Sequence, residues 1–120
     1  MTEFEIKNGF LVKCSGADEE VIIPDCVTAI ESNAFKDQVN LKRVVIPKTV
    51  IVINQKAFWG CKNLTAYCEA EIKPSGWSGF WNLYHYDEVE WWHDYQHPGQ
   101  GTEIRRMNYE YLPVEWGYKK

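Results

Sequence analysis

The sequence predicts an α/β repeat solenoid, a short stack of similar coils. Three observations predict it. Residues 21–43 (VIIPDCVTAIESNAFKDQVNLKR) and 44–66 (VVIPKTVIVINQKAFWGCKNLTA) align without a gap and share nine of 23 positions. Each copy opens on β-branched residues closed by a proline, Pro24 or Pro47, and carries an Ala-Phe pair and a later leucine at the same offsets. The composition, 45% apolar and 15% aromatic, can fill a core and excludes a chain that stays disordered.

A length of 120 residues suits one domain. It divides into a lead-in (1–20), two 23-residue repeats (21–66), a partial third repeat (67–82), an insertion (83–112) and a closing segment (113–120). In the lead-in, Asn8-Gly9 between apolar stretches signals a tight hairpin turn. Within a repeat, Val44-Val45-Ile46 is a short strand, and Pro47, lacking an N–H, stops the ladder. Val50 and Ile53 begin a second extended piece. Ala57-Phe58 open a short helical turn, with Phe58 and Leu64 pointing inward. One such unit cannot bury its apolar side alone, so unit must lie against unit with strands in parallel register.

Written as IPxxVxxIxxxAFxxCxxL, this pattern resembles the BspA-like family of leucine-rich repeats, and a period of 23 lies within the leucine-rich-repeat range. Ile46, Pro47, Val50, Ile53, Ala57, Phe58, Cys61 and Leu64 match it, and the first copy departs only in Gln38 at the cysteine position. The stretch 4–24 resembles the family's lead-in hairpin, CEAEIKPSGWSGFWN (68–82) a frequent end of such arrays, and PVEWGY (113–118) the family terminus. The resemblance implies a short leucine-rich-repeat stack with a β-hairpin lead-in, acting as a binding scaffold. Members occur on bacterial surfaces and in protozoa, often as long arrays; this chain has two full repeats.

In the family ending, the Gly-Trp…Trp-Asn motif (Gly76-Trp77, Trp81-Asn82) leads almost directly to the closing motif. Here about thirty residues intervene. This insertion holds six acids (Asp87, Glu88, Glu90, Asp94, Glu103, Glu110) and two bases (Arg105, Arg106), so it carries the whole formal charge of −4 while the remainder is neutral. It also holds all three histidines and seven of the 18 aromatics. Val89, Trp91, His93 and Tyr95 share one parity, and Glu88, Glu90, Trp92 and Asp94 the other, as in a strand. His97-Pro98-Gly99-Gln100 suits a type II turn. The return strand, Glu103–Tyr111, sets Met107, Tyr109 and Tyr111 on one face, expected to pack with Val89 and Trp91 as a cap on the last repeat.

Other chemistry is poorly supported. His93, His97 and Asp94 or Asp87 could bind zinc, but HxxxH gathers ligands on a helix, and Pro98-Gly99 points to strand and turn; no metal or cofactor is expected. Cys14 or Cys26 with a histidine would make a nucleophile pair, without any local signature. Glu88 and Glu90 as paired carboxylates stand side by side on a solvated strand. Gly76-Trp77-Ser78-Gly79 is a turn without the Lys-Ser/Thr of a phosphate loop. No catalytic residue is assigned. The acidic balance disfavours direct nucleic-acid binding, although Lys42, Arg43 and Lys48 share a sheet edge. Four cysteines without a CxxC pair read as buried thiols of a reducing compartment. Residues 1–6 lack the features of a secretory leader, and no apolar run approaches the ~18 residues of a membrane span; the expectation is a cytoplasmic protein without membrane contact.

The expected function is that of a non-catalytic module binding another protein with a basic surface. Trp92 and Tyr95 are the expected anchors; Glu88, Glu90 and Asp94 steer the partner, and Arg105 and Arg106 pair with its carboxylates. The repeat sheet around Lys42, Arg43 and Thr65 is the second candidate surface, and its uncovered edge also offers a homodimer contact. Two rivals stand beside this expectation. One is a phage or mobile-element inhibitor of a nucleic-acid-binding host complex, such as an anti-CRISPR protein, since an acidic aromatic hairpin can fill a groove built for nucleic acid. The other is the capped terminal fragment of a bacterial surface array.

Overall fold

Strands of two to ten residues alternate with tight turns. The computed structural model describes residues 2–92 and 104–119, and side chains for all of these except 88–92 and 104–106. Ten strands follow in chain order: β1 (Glu3–Lys7), β2 (Phe10–Ser15), β3 (Glu20–Ile22), β4 (Ala29–Ile30), β5 (Arg43–Ile46), β6 (Val52–Ile53), β7 (Thr65–Cys68), β8 (Leu83–Trp92), β9 (Ile104–Tyr111) and β10 (Val114–Trp116). One sheet has the order β1-β2-β4-β6, a second β10-β7-β5-β3, and β8 and β9 form a two-stranded sheet of their own.

The repeat is visible in the register. Val21 pairs with Val44 and Ala29 with Val52, both in parallel, so each residue neighbours its own counterpart one repeat on. Matching positions therefore bury matching side chains. Ile23 and Ile46, Val27 and Val50, Ile30 and Ile53, Phe35 and Phe58, and Leu41 and Leu64 are all buried in one core. Phe35 stacks on Phe58 at 4.8 Å between ring centroids, and Trp81 meets Phe58 edge-on at 6.1 Å.

The lead-in forms as expected. β1 and β2 are antiparallel, with Lys7 opposite Phe10. Asn8 (φ 51°) and Gly9 (φ 84°) supply the two left-handed residues that a two-residue turn of type I′ demands. The Gly9 carbonyl accepts the Thr28 N–H at 2.7 Å, tying this turn to the first repeat.

The α component of the expected class is absent: among the described residues there is no helix. The segments around Ala34-Phe35 and Ala57-Phe58 are successive tight turns, and two features prevent a helix. Left-handed residues interrupt them, at Asn33, Asp37, Lys56 and Gly60. Their amide groups are also divided between two uses. The Ala34 N–H bonds within its turn, to Glu31 O at 3.2 Å, while the Phe35 N–H reaches across to Ala57 O at 2.8 Å and the Asp37 N–H to Trp59 O at 2.7 Å. A helix would need all of these amides for itself. Gly60 is required by this close approach, because a Cβ there would collide with the Asp37 carboxylate.

All four cysteines are free thiols, but only Cys14, Cys61 and Cys68 are buried. Cys26 is exposed, which corrects the expectation for that residue. It sits in the turn after Pro24, a place taken by the exposed Thr49 in the second repeat. Burial pushes the Cys61 and Cys68 thiols up to about 12 and Cys14 up to about 11. The Cys61 thiol also donates to Phe35 O at 3.0 Å, which ties the second repeat to the first. In the first repeat, Gln38 answers the departure from cysteine: its Oε1 accepts the Ala17 N–H at 2.9 Å, holding the lead-in instead.

Candidate partner-binding surface

The third unit departs from its predecessors at one place. Phe35 precedes Leu41, and Phe58 precedes Leu64, by six positions, whereas Trp81 and Leu112, which take the same buried places, stand 31 apart. The chain leaves the unit after Trp81 as β8 and returns as β9. It then resumes the repeat as β10, with Val114 opposite Ala66. A reciprocal clamp closes the gap: the Leu112 N–H donates to Asn82 O at 2.9 Å, and Asn82 Nδ2 donates to Leu112 O at 3.1 Å. Above it the Gly60 N–H donates to Tyr84 O at 2.9 Å.

The cap on the last unit is not the one the sequence suggested. Trp77, Trp81, Leu83 and Leu112 are buried there. Trp116 meets Trp77 at 5.7 Å and Trp81 at 6.2 Å. Trp77 Nε1 donates to Val50 O at 3.1 Å, satisfying the one polar atom this ring brings inside. Tryptophans thus form much of this layer, and β8 adds the buried Leu83 and the partly buried Tyr84, which packs against the core.

The pairing within the hairpin departs from expectation too. Tyr86 stands opposite Tyr109 and Glu88 opposite Met107, while Val89 stands opposite Arg106. Met107, Tyr109 and Tyr111 therefore share a face with Tyr86, not with Val89, which corrects the expected grouping. Two register shifts cause the difference. One falls between Leu83 and His85 and exchanges the face of everything beyond it, because strand faces alternate with period two.

The result is an open aromatic surface. Met107, Tyr109, Tyr111 and Phe80 are 37%, 45%, 45% and 43% exposed. Tyr109 lies 6.0 Å from both Tyr86 and Phe80, and 6.5 Å from Tyr111. Tyr86 continues the row to Trp59 at 5.2 Å. Lys56 Nζ lies 5.0 Å from the Trp59 ring centroid and 5.1 Å from that of Tyr86, an ammonium held between two rings. Gln55, Lys56, Phe80, Leu83, Tyr86, Met107 and Tyr109 line a shallow pocket of about 240 Å³. On the opposite face, His85 and Asp87 share a hydrogen bond of 3.0 Å.

Of the site residues expected from sequence, Glu88, Glu90 and Trp92 lie on β8, and Arg105 and Arg106 on β9. The register sets Glu90 opposite Arg105. A second shift between Glu90 and Trp92 ends the strict alternation that grouped Trp92 with Glu88 and Glu90. Asp94 and Tyr95, the His97–Gln100 turn, and the histidines 93 and 97 lie outside the described residues. Among the described residues no three His, Cys, Asp or Glu side chains gather as a metal site.

Sequence reasoning missed Trp59, Phe80 and Tyr86, though a signal was present. Trp59 stands at a position outside the shared apolar pattern, taken by Lys36 in the first repeat, and is half-buried. Phe80 occupies the place held by the buried Ala34 and Ala57 in the earlier units. A bulky ring fits there only because no further unit lies against it.

The second candidate surface is electrically balanced. Lys42 pairs with Glu19 at 3.4 Å, and Arg43 with Glu20 at 3.5 Å. The Arg43 guanidinium lies 4.8 Å from the Tyr67 ring centroid. The backbone N–H of Lys48 donates to Glu69 at 3.0 Å.

The family model of the BspA type leucine rich repeat region (6 copies) matches residues 5–97. The chain belongs to this family. Leucine-rich repeats of this kind are typically protein-binding modules. The match takes in the lead-in, both full repeats of this leucine-rich-repeat protein, the partial third and the outgoing strand of the hairpin. Among curated proteins and among solved structures, nothing matches it.

Proposed function

We propose that this protein is a short solenoid scaffold that binds a partner protein through the hairpin inserted in its last repeat. The observation that carries the reading is the contrast between a fully buried repeat core and the exposed Phe80, Met107, Tyr109 and Tyr111 on and beside the hairpin. Exposed aromatics clustered on one face are the usual anchors of protein interfaces. The excess of four negative charges confined to residues 83–112 supports a partner with a basic surface. In this reading Glu88, Glu90 and Asp94 steer the approach, Trp92 and Tyr95 are anchors, and Arg105 and Arg106 meet carboxylates at the rim. A cytoplasmic partner is the working expectation.

The test is a pull-down from the source cell with wild type and with the variant Trp92→Ala/Glu88→Lys/Glu90→Lys, circular dichroism showing that both fold. A partner captured by wild type and lost by the variant is the expected result. Capture of the same set by both overturns the hairpin reading and moves attention to the sheet around Arg43 and Thr65. A nucleic-acid-handling complex among the lost partners would favour the inhibitor alternative.

A further inference from the structure

We infer that the tyrosine face of the hairpin binds an extended, arginine-bearing segment of the partner, with guanidinium groups lying over the rings of Tyr109 and Tyr111. The inference rests on the hairpin being the partner surface and names the chemistry it recognises.

The fold already uses its rings in this way. Lys56 lies against Trp59 and Tyr86, and Arg43 lies over Tyr67. Farther out on the same aromatic row, among the described residues, no cation lies over Phe80, Tyr109 or Tyr111. Phe80, Tyr109 and Tyr111 are all nearly half exposed, and an aromatic face attracts a cation through its quadrupole. Arginine suits the place better than lysine, because its planar guanidinium stacks and is more weakly hydrated.

Spacing and charge agree. Tyr109 and Tyr111 are 6.5 Å apart. Same-side residues of an extended peptide recur every ~6.6–6.8 Å. One peptide running along β9 can thus present a side chain to each ring, and the pocket beside Phe80 and Met107 takes an apolar neighbour. The hairpin segment carries −4 while the remainder of the chain is neutral, a balance that favours a cationic partner over a phosphate-bearing one. The same charge disfavours a second copy of this chain in the groove and leaves a basic protein segment as the occupant.

The test is fluorescence anisotropy on the full chain with a fluorescein-labelled peptide bearing arginine at every second position and serine between. Its control is the same peptide with citrulline, which keeps the shape and removes the charge. The arginine peptide is expected to bind, and the citrulline peptide to bind at least about tenfold more weakly. Tyr109→Ala/Tyr111→Ala, at exposed positions, is expected to weaken the arginine peptide about tenfold, while Tyr109→Phe/Tyr111→Phe, which keeps both rings, stays within about twofold. Failure of the arginine peptide to bind, equal binding of arginine and citrulline peptides, or an unaffected alanine variant overturns the inference. Pull-downs separate this failure from that of the wider reading. If the hairpin variants lose a cellular partner but the wild-type chain shows no preference for arginine, only this inference falls. If they retain every partner, both fall.

Discussion

The repeat units and the hairpin are built from similar residues and treat them oppositely. In the repeats, every apolar position of the shared pattern is buried, because each unit has a neighbour that covers it. In the hairpin, Tyr109 and Tyr111 are nearly half exposed, although they are large apolar residues spaced as a strand face. Tyr111 stands opposite the buried Leu83, yet both tyrosines remain open to solvent beside the tryptophan layer. Apolar content alone therefore does not distinguish core from interface here. The distinction depends on whether a second surface is available to each face.

Five experiments break or sharpen that contrast. The largest effect belongs to Phe58→Ala, at the centre of the ladder between Phe35 and Trp81, which should cost about 3–5 kcal/mol in denaturant melts. Next come the buried thiols. Their folded pKa lies above the unfolded value of 9.0, at about 12 for Cys68. Their contribution is fully present below pH 9 and is lost as pH rises toward 12, since the unfolded chain ionises first. Each thiol should lower stability by about 1 kcal/mol per pH unit in that window; Cys68→Ala should flatten the slope, measured against wild type by urea melts. At neutral pH, native alkylation followed by mass spectrometry should label Cys26 and spare the other three.

Gly60→Ala forces a side chain into a left-handed residue and against Asp37. It should cost about 1–2 kcal/mol in the same melts. The smallest effect is expected from Tyr109→Ala/Tyr111→Ala, within about 0.5 kcal/mol of wild type, despite removing two large aromatic side chains. A loss of several kcal/mol there would mean that the hairpin is part of the core after all, and the contrast would fail.

The repeat period, the inward Phe58 and Leu64, the turn at Asn8-Gly9, and the antiparallel pairing of two strands in the insertion were all legible in the sequence. Each depends on local chemistry or on an internal copy against which it can be read: a proline that ends a ladder, two residues that tolerate positive φ, a position that repeats. The family was legible for the same reason. Tertiary structure decided the rest. It turned the expected helical segments into turns, because their amides are needed by the adjacent unit. It also decided which residues share a face of the hairpin, because a single-residue register shift exchanges the two faces of a strand and depends on partners distant in sequence. And it assigned the cap to Trp77, Trp81 and Trp116, because only the arrangement of the last unit determines which aromatics reach the open layer first.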